Sequence, residues 1–172
     1  MARQPSPRPA TSTAEVLSPL QRDLALLPPP VAAIRAKILE AVASGDIEAV
    51  RVPIEHNETP PLFARGAGRS SFGEAIETLK RRSFDRDGRE TLDILRAALG
   101  QPYVKVTRGP FVSFVWPGCA LVPYADPTPE DILAMWRCVR FANLGAATPD
   151  GRPIIERMGF GADGVWHYFW SG

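Results

Sequence analysis

The hydrophobic period of this chain changes at Gly100, and that change constrains the fold more than any other feature of the sequence. Upstream, Val31, Ile34, Ile38, Ala41 and Val42 recur at three- and four-residue steps, which places them on one helical face. Gly45 is a natural stop and Asp46 a natural cap for a second helix carrying Ile47, Val50 and Ile54. Pro53 lacks the N–H that would bond back one turn, so this helix is expected to kink or end there. Glu55-His56-Asn57-Glu58 then falls at a helix end or in the loop before Pro60-Pro61. Two further helices are marked by the capping-box spacing, Ser71 with Glu74 and Asp87 with Glu90, and Gly100 terminates the second.

Downstream the period is two. Val104 and Val106 alternate with Tyr103, Lys105 and Thr107; Arg108-Gly109-Pro110 supplies a turn; Val112, Phe114 and Trp116 continue the apolar face. Thr128, Pro129 and Asp131 open a fifth helix with the stripe Ile132, Met135, Trp136 and Val139. A last hairpin runs from Ile154 to Phe160 and from Val165 to Trp170 around Gly161-Ala162-Asp163-Gly164. The expectation is an α+β fold: about five helices, largely N-terminal, on one face of a small antiparallel sheet made of two hairpins.

Seven of the eighteen prolines lie in residues 1–30, so this stretch is expected to be a flexible, proline-rich tail or extended linker preceding a single domain at 31–172. A tail of that kind offers a further mode of partner binding through extended structure. The remaining roughly 140 residues suffice to bury about two-thirds of their unfolded surface without a metal or disulfide scaffold. With 45% apolar residues and a formal charge of +1, the chain is neither of disordered composition nor surrounded by a field that would gather nucleic acid. No run approaches the roughly 20 apolar residues of a transmembrane helix. Read from Met1, Leu24–Leu27 is too short and too closely followed by prolines for an export signal, which makes the cytoplasm the default compartment.

Chemistry-bearing motifs are sparse. Cys119 and Cys138 are expected to be small buried thiols, with pairing in an oxidising compartment as the alternative. No Cys or His stands at metal-ligand spacing from another, so no metal and no cofactor are expected. The only histidines, His56 and His167, are the sole candidates for a general base of the usual kind. Glu55 and Glu58 flank the first, and Glu156 is a third available carboxylate. No nucleophile elbow is present. Gly66-Ala67-Gly68-Arg69-Ser70-Ser71 opens a helix without the phosphate-loop pattern and is expected to be an ordinary loop. Lys80-Arg81-Arg82 complements a helix C-terminus.

The densest feature is Val165-Trp166-His167-Tyr168-Phe169-Trp170. Simple alternation puts Val165, His167 and Phe169 on one face and Trp166, Tyr168 and Trp170 on the other. The row either closes the core or lines a groove in which rings stack on a flat ligand.

A likeness emerges from several turns and strand ends. Ala43-Ser44-Gly45-Asp46-Ile47-Glu48-Ala49, Asn57-Glu58-Thr59-Pro60-Pro61, Phe114-Val115-Trp116-Pro117 and Gly161-Ala162-Asp163-Gly164-Val165-Trp166-His167-Tyr168-Phe169 together resemble a group of uncharacterised bacterial proteins of similar size. Members of that group often look exported, so the resemblance implies a periplasmic alternative and a place in the cell envelope, and it implies no activity. The functional expectation is a non-enzymatic binding or assembly module for an unidentified protein or small ligand, using Trp116, Tyr124, Trp166, Tyr168 and Trp170. The alternative is a small hydrolase or acid–base enzyme built on His56 or His167 with a nearby glutamate such as Glu58.

Overall fold

The period-two segments after Gly100 pair as four adjacent strands of one antiparallel sheet, as the computed structural model of residues 14–172 shows. Residues 1–13 of the proline-rich start lie outside the described residues. In spatial order the strands are β1 (Glu15–Leu17), β2 (Val104–Arg108), β3 (Phe111–Trp116), β4 (Glu156–Gly161) and β5 (Trp166–Ser171). The helices are α1 (Pro29–Ala43), α2 (Arg51–Glu55), α3 (Phe72–Arg82), α4 (Arg89–Leu99) and α5 (Pro129–Trp136). The fold is α+β. The two expected hairpins, β2–β3 and β4–β5, are joined through β3–β4 pairing, with Phe114 opposite Phe160 and Trp116 opposite Met158.

Residue 30 does not mark the edge of the folded part. Glu15–Leu17, placed by the sequence reading in a flexible tail, pair with Val106–Arg108 as a fifth strand. Gln21 and Tyr103 exchange backbone hydrogen bonds of 2.8 and 2.9 Å, and the Tyr103 hydroxyl donates to the Asp23 carbonyl at 3.0 Å. Pro29 and Pro30 are not linker. They are the first residues of α1, where a missing N–H costs nothing and the fixed φ favours a helical start.

Caps explain most helix boundaries. Ser71–Glu74 and Thr128–Asp131 form the expected reciprocal boxes. The Asp87–Glu90 box does not form. Asp85 accepts instead from the backbone N–H groups of Asp87, Arg89 and Glu90 at 2.7–3.1 Å. Gly88 takes the cap position at φ +88°, and a Cβ there would stand 2.6 Å from Ile47. Glu90 is thereby released to accept from the backbone N–H groups of Phe84 (3.0 Å) and Phe141 (2.6 Å). The fifth helix also ends earlier than its stripe suggested: α5 stops at Trp136, none of its residues is buried, and Val139 is buried beyond its end.

One irregularity sets the faces of the sheet. Met158 pairs with Phe169 and Gly159 with Tyr168, but Phe160 pairs with Trp166, so His167 is an extra residue on β5. A bulge of this kind reverses the alternation on its far side. Trp166 therefore joins Phe169 on the helix-covered face with Trp116, Met158 and Phe160, all fully buried. Tyr168 and Trp170 stay on the other face. Strict alternation placed Trp166 with Tyr168 and Trp170, and the bulge overturns that grouping.

The helix-covered core also holds a charge cluster. Glu156, completely buried, accepts from Arg82 at 2.8 and 3.0 Å, from Arg140 Nε at 2.8 Å and from the Ser171 hydroxyl. Arg82 donates onward to the Phe169 carbonyl at 2.8 Å, and both guanidinium groups lie 5.5 Å from the Phe169 ring centroid. Removing one member of such a cluster strands buried charge, which costs about 3–5 kcal/mol. Glu156→Ala is therefore expected to lower unfolding free energy by about that amount in urea melts. Asp93→Ala, which breaks the exposed Asp93–Arg96 pair, should cost less than about 0.5 kcal/mol.

Candidate functional site

The side chains that the sequence grouped as one aromatic surface divide between three environments. Trp116 and Trp166 are fully buried in the core. They pack edge-on and in a stack against Phe160, with centroids 5.8 and 6.1 Å away, and have no access to a ligand. Tyr168 and Trp170 stack with centroids 4.2 Å apart and planes 14° apart on the helix-free face. Gly159 makes room for this: a Cβ there would lie 2.4 Å from the Tyr168 ring. Tyr124 lines a separate apolar cleft at the end of the sheet.

The proposed acid–base residues do not assemble as grouped. His56 is exposed, with Nδ1 3.3 Å from Lys37 Nζ. Glu55 and Glu58 are exposed, and Glu156 is committed to the buried cluster. His167 does line the groove on the helix-free face. Its Nε2 and Asp163 Oδ1 lie 2.8 and 2.5 Å from the point a Cβ of Gly161 would occupy, and Ser113 is the strand partner of Gly161. Burial lowers the His167 pKa, with Asp163 opposing the shift. Among the described residues, no side-chain hydrogen bond joins His167 to Ser113 or Asp163.

Other motifs are absorbed by structure. Arg69 of the glycine-containing loop donates to the Pro60 carbonyl at 2.7 Å. In the basic run, Lys80 pairs with Glu48 and Glu77, Arg81 donates to Thr78, and Arg82 belongs to the Glu156 cluster. Cys119 and Cys138 are free and buried, one on each side of the Gln101 amide. Gln101 Nε2 lies 3.1 Å from Cys138 Sγ, and Cys119 Sγ lies 3.6 Å from Gln101 Oε1. Burial pushes the Cys119 thiol up to about 11 and raises Cys138 as well. Among the described residues, no three His, Cys, Asp or Glu side chains gather as a metal site.

The residue that unites the remaining features is Arg157. Glu156 and Arg157 are neighbours on β4, and alternation sends them to opposite faces. Glu156 meets its arginines in the core; Arg157 emerges on the helix-free face opposite Trp170. There it has no ion pair and no side-chain hydrogen bond among the described residues, and its Nε is buried without a partner. Burial lowers its pKa. The indole Nε1 of Trp170 is likewise buried and unpartnered. Two cavities meet at this point. The groove of about 1090 Å³ runs over β2–β5 past Ser113, Tyr168 and Trp170, and the cleft of about 410 Å³ lies between α5 and residues 152–155. Arg157 and Arg65 line both. Arg65 is exposed and follows three residues after Leu62, whose backbone extends the β5 edge through bonds to His167 and Phe169 of 2.9 and 2.8 Å.

Sequence reasoning missed Arg157. The available signal was a single cation in an otherwise apolar strand, next to an acid that appeared able to neutralise it. No family model, curated protein or solved structure matches this chain. No helix among the described residues is long and apolar enough to cross a membrane.

The thiols provide a direct check of the site's chemistry. Because thiolate is the reactive form, neither cysteine should react with an aromatic disulfide reagent at pH 8 in the native protein, whereas two should react in denaturant. Stoichiometric native labelling would contradict the buried placement.

Proposed function

We propose that the chain is a non-enzymatic binding module whose ligand is a small anion held by Arg157 and Arg65 where the two cavities meet. The observation that carries this reading is the unpaired state of Arg157. Arg157 is half-buried, its Nε is shielded from water without a partner, and no carboxylate pairs with it directly. Withdrawing a charge from water without a paired counter-charge is costly. A bound anion would relieve that cost, and the fork of donors suits a planar two-oxygen acceptor. The Tyr168–Trp170 stack offers aromatic area beside it. Tyr124, Tyr168 and Trp170 remain ligand-facing in this reading, while Trp116 and Trp166 serve the core. The bacterial envelope context rests on the resemblance of the turn motifs described above.

An acid–base enzyme is favoured by one observation, the convergence of His167 and Asp163 over Gly161 opposite Ser113. It differs from the binding reading in needing His167 for function.

Arg157→Gln breaks no pair, so the variant should fold. Acetate, benzoate and inorganic phosphate, compared at constant ionic strength, are expected to raise the melting temperature of the wild type with at least one of the three. The rise should disappear in Arg157→Gln and persist in His167→Gln. No rise with any anion, or an equal rise in Arg157→Gln, would refute the proposal.

A further inference from the structure

The cleft beside Arg157 differs in character from the groove. Tyr124, Ile132, Met135, Ile155, Pro123 and Cys119 give it an apolar lining, and no Asp or Glu is among its lining residues. Its polar groups are chiefly arginines. Of these, Arg152 is engaged by Asp150 at 2.6 Å, while Arg65 and Arg157 form no ion pair among the described residues. Gly172 also lines the cleft. The Tyr124 hydroxyl is turned toward Gln101 Oε1 at 3.4 Å and the Cys119 thiol toward the same oxygen, so the two polar tips on that wall face away from a ligand.

A largely apolar cleft lined by two guanidinium groups that form no ion pair selects for a molecule with one charged end. Such a ligand buries its apolar body, which drives binding through the area removed from water. Its anionic end neutralises Arg157, which makes the charge term favourable rather than costly. A volume of about 410 Å³ falls at the lower end of small-ligand sites and admits one ring system or a medium-length acyl chain. Carboxylate suits the mouth better than phosphate. It is a planar monoanion that a guanidinium matches with two parallel bonds, and it surrenders less hydration on entering a half-buried position.

We infer that the cleft is a receptor for an amphipathic monocarboxylate, its apolar body lying between α5 and residues 152–155 and its carboxylate bound by Arg157 and Arg65. This rests on the anion-binding reading above and adds the chemical class of the ligand and the cavity that takes its body.

Isothermal titration of the full chain with straight-chain carboxylates from propionate to octanoate tests the inference, with octan-1-ol and 2-naphthoate as companions. Affinity is expected to rise about fourfold per added methylene until the cleft is full. Octan-1-ol, with the same body and no charge, should bind at least tenfold more weakly than octanoate. Arg157→Gln should reduce octanoate to the level of the alcohol. Binding of 2-naphthoate is also expected, and the tighter of the two acids tells whether the body is a chain or a ring. An affinity independent of chain length, with protection by small anions still lost in Arg157→Gln, would overturn the inference and leave the anion-binding reading standing. Octan-1-ol binding as tightly as octanoate would overturn the inference. Failure of every anion, small or amphipathic, would overturn both.

Discussion

The extra residue on β5 governs the structure on both faces of the sheet. If His167 were in regular register, Trp166 would lie with Tyr168 and Trp170 on the helix-free face, and the core would lack one of its largest side chains. The bulge lets residues 166 and 169, three apart in sequence, share the inner face, while 168 and 170 share the outer one. An indole and a benzyl ring thus fill the interior, and a stacked, half-buried phenol–indole pair lies on the opposite face. The wall of the groove and the packing of the core are consequences of the same local distortion.

Strand alternation does the corresponding work for charge on β4. Two adjacent residues of opposite sign, Glu156 and Arg157, cannot neutralise one another because their side chains leave opposite faces of the pleat. The acid is satisfied from the helical layer by Arg82 and Arg140, which come from distant segments and tie α3 and the chain after α5 to the sheet. The base forms no ion pair and no side-chain hydrogen bond among the described residues, and Glu15, which lines the same groove, acts on it only across space. The imbalance is local, with a hydrogen-bonded charge cluster on one side of the strand and an unpaired, half-buried cation on the other.

Much of the fold was legible in the sequence, and the limits have identifiable causes. Helix positions followed from the spacing of Val31, Ile34 and Ile38 and from the boxes at Ser71 and Thr128, because those signals act within one or two turns. β1 was hidden because its three residues are surrounded by prolines and gain their structure only from pairing with β2, about ninety positions away. The Asp87 cap failed because Asp85, two residues earlier, reaches the same N–H groups once Gly88 adopts a positive φ. At the site, Tyr124, Tyr168 and Trp170 were legible as large amphipathic rings. The exclusion of Trp116 and Trp166, and the importance of Arg157, were not, since both depend on which face a residue occupies. A single inserted residue changes that without any mark in composition.

The central claim is that the helix-free side of β4 presents an unpaired guanidinium to a ligand's carboxylate. A crystal structure of the full chain grown with octanoate examines this most directly. The account predicts octanoate density with both carboxylate oxygens within hydrogen-bond distance of the Arg157 guanidinium and the chain lying beneath Tyr124 and Met135. Density for octanoate elsewhere, with Arg157 paired to a carboxylate of the protein itself, would contradict it.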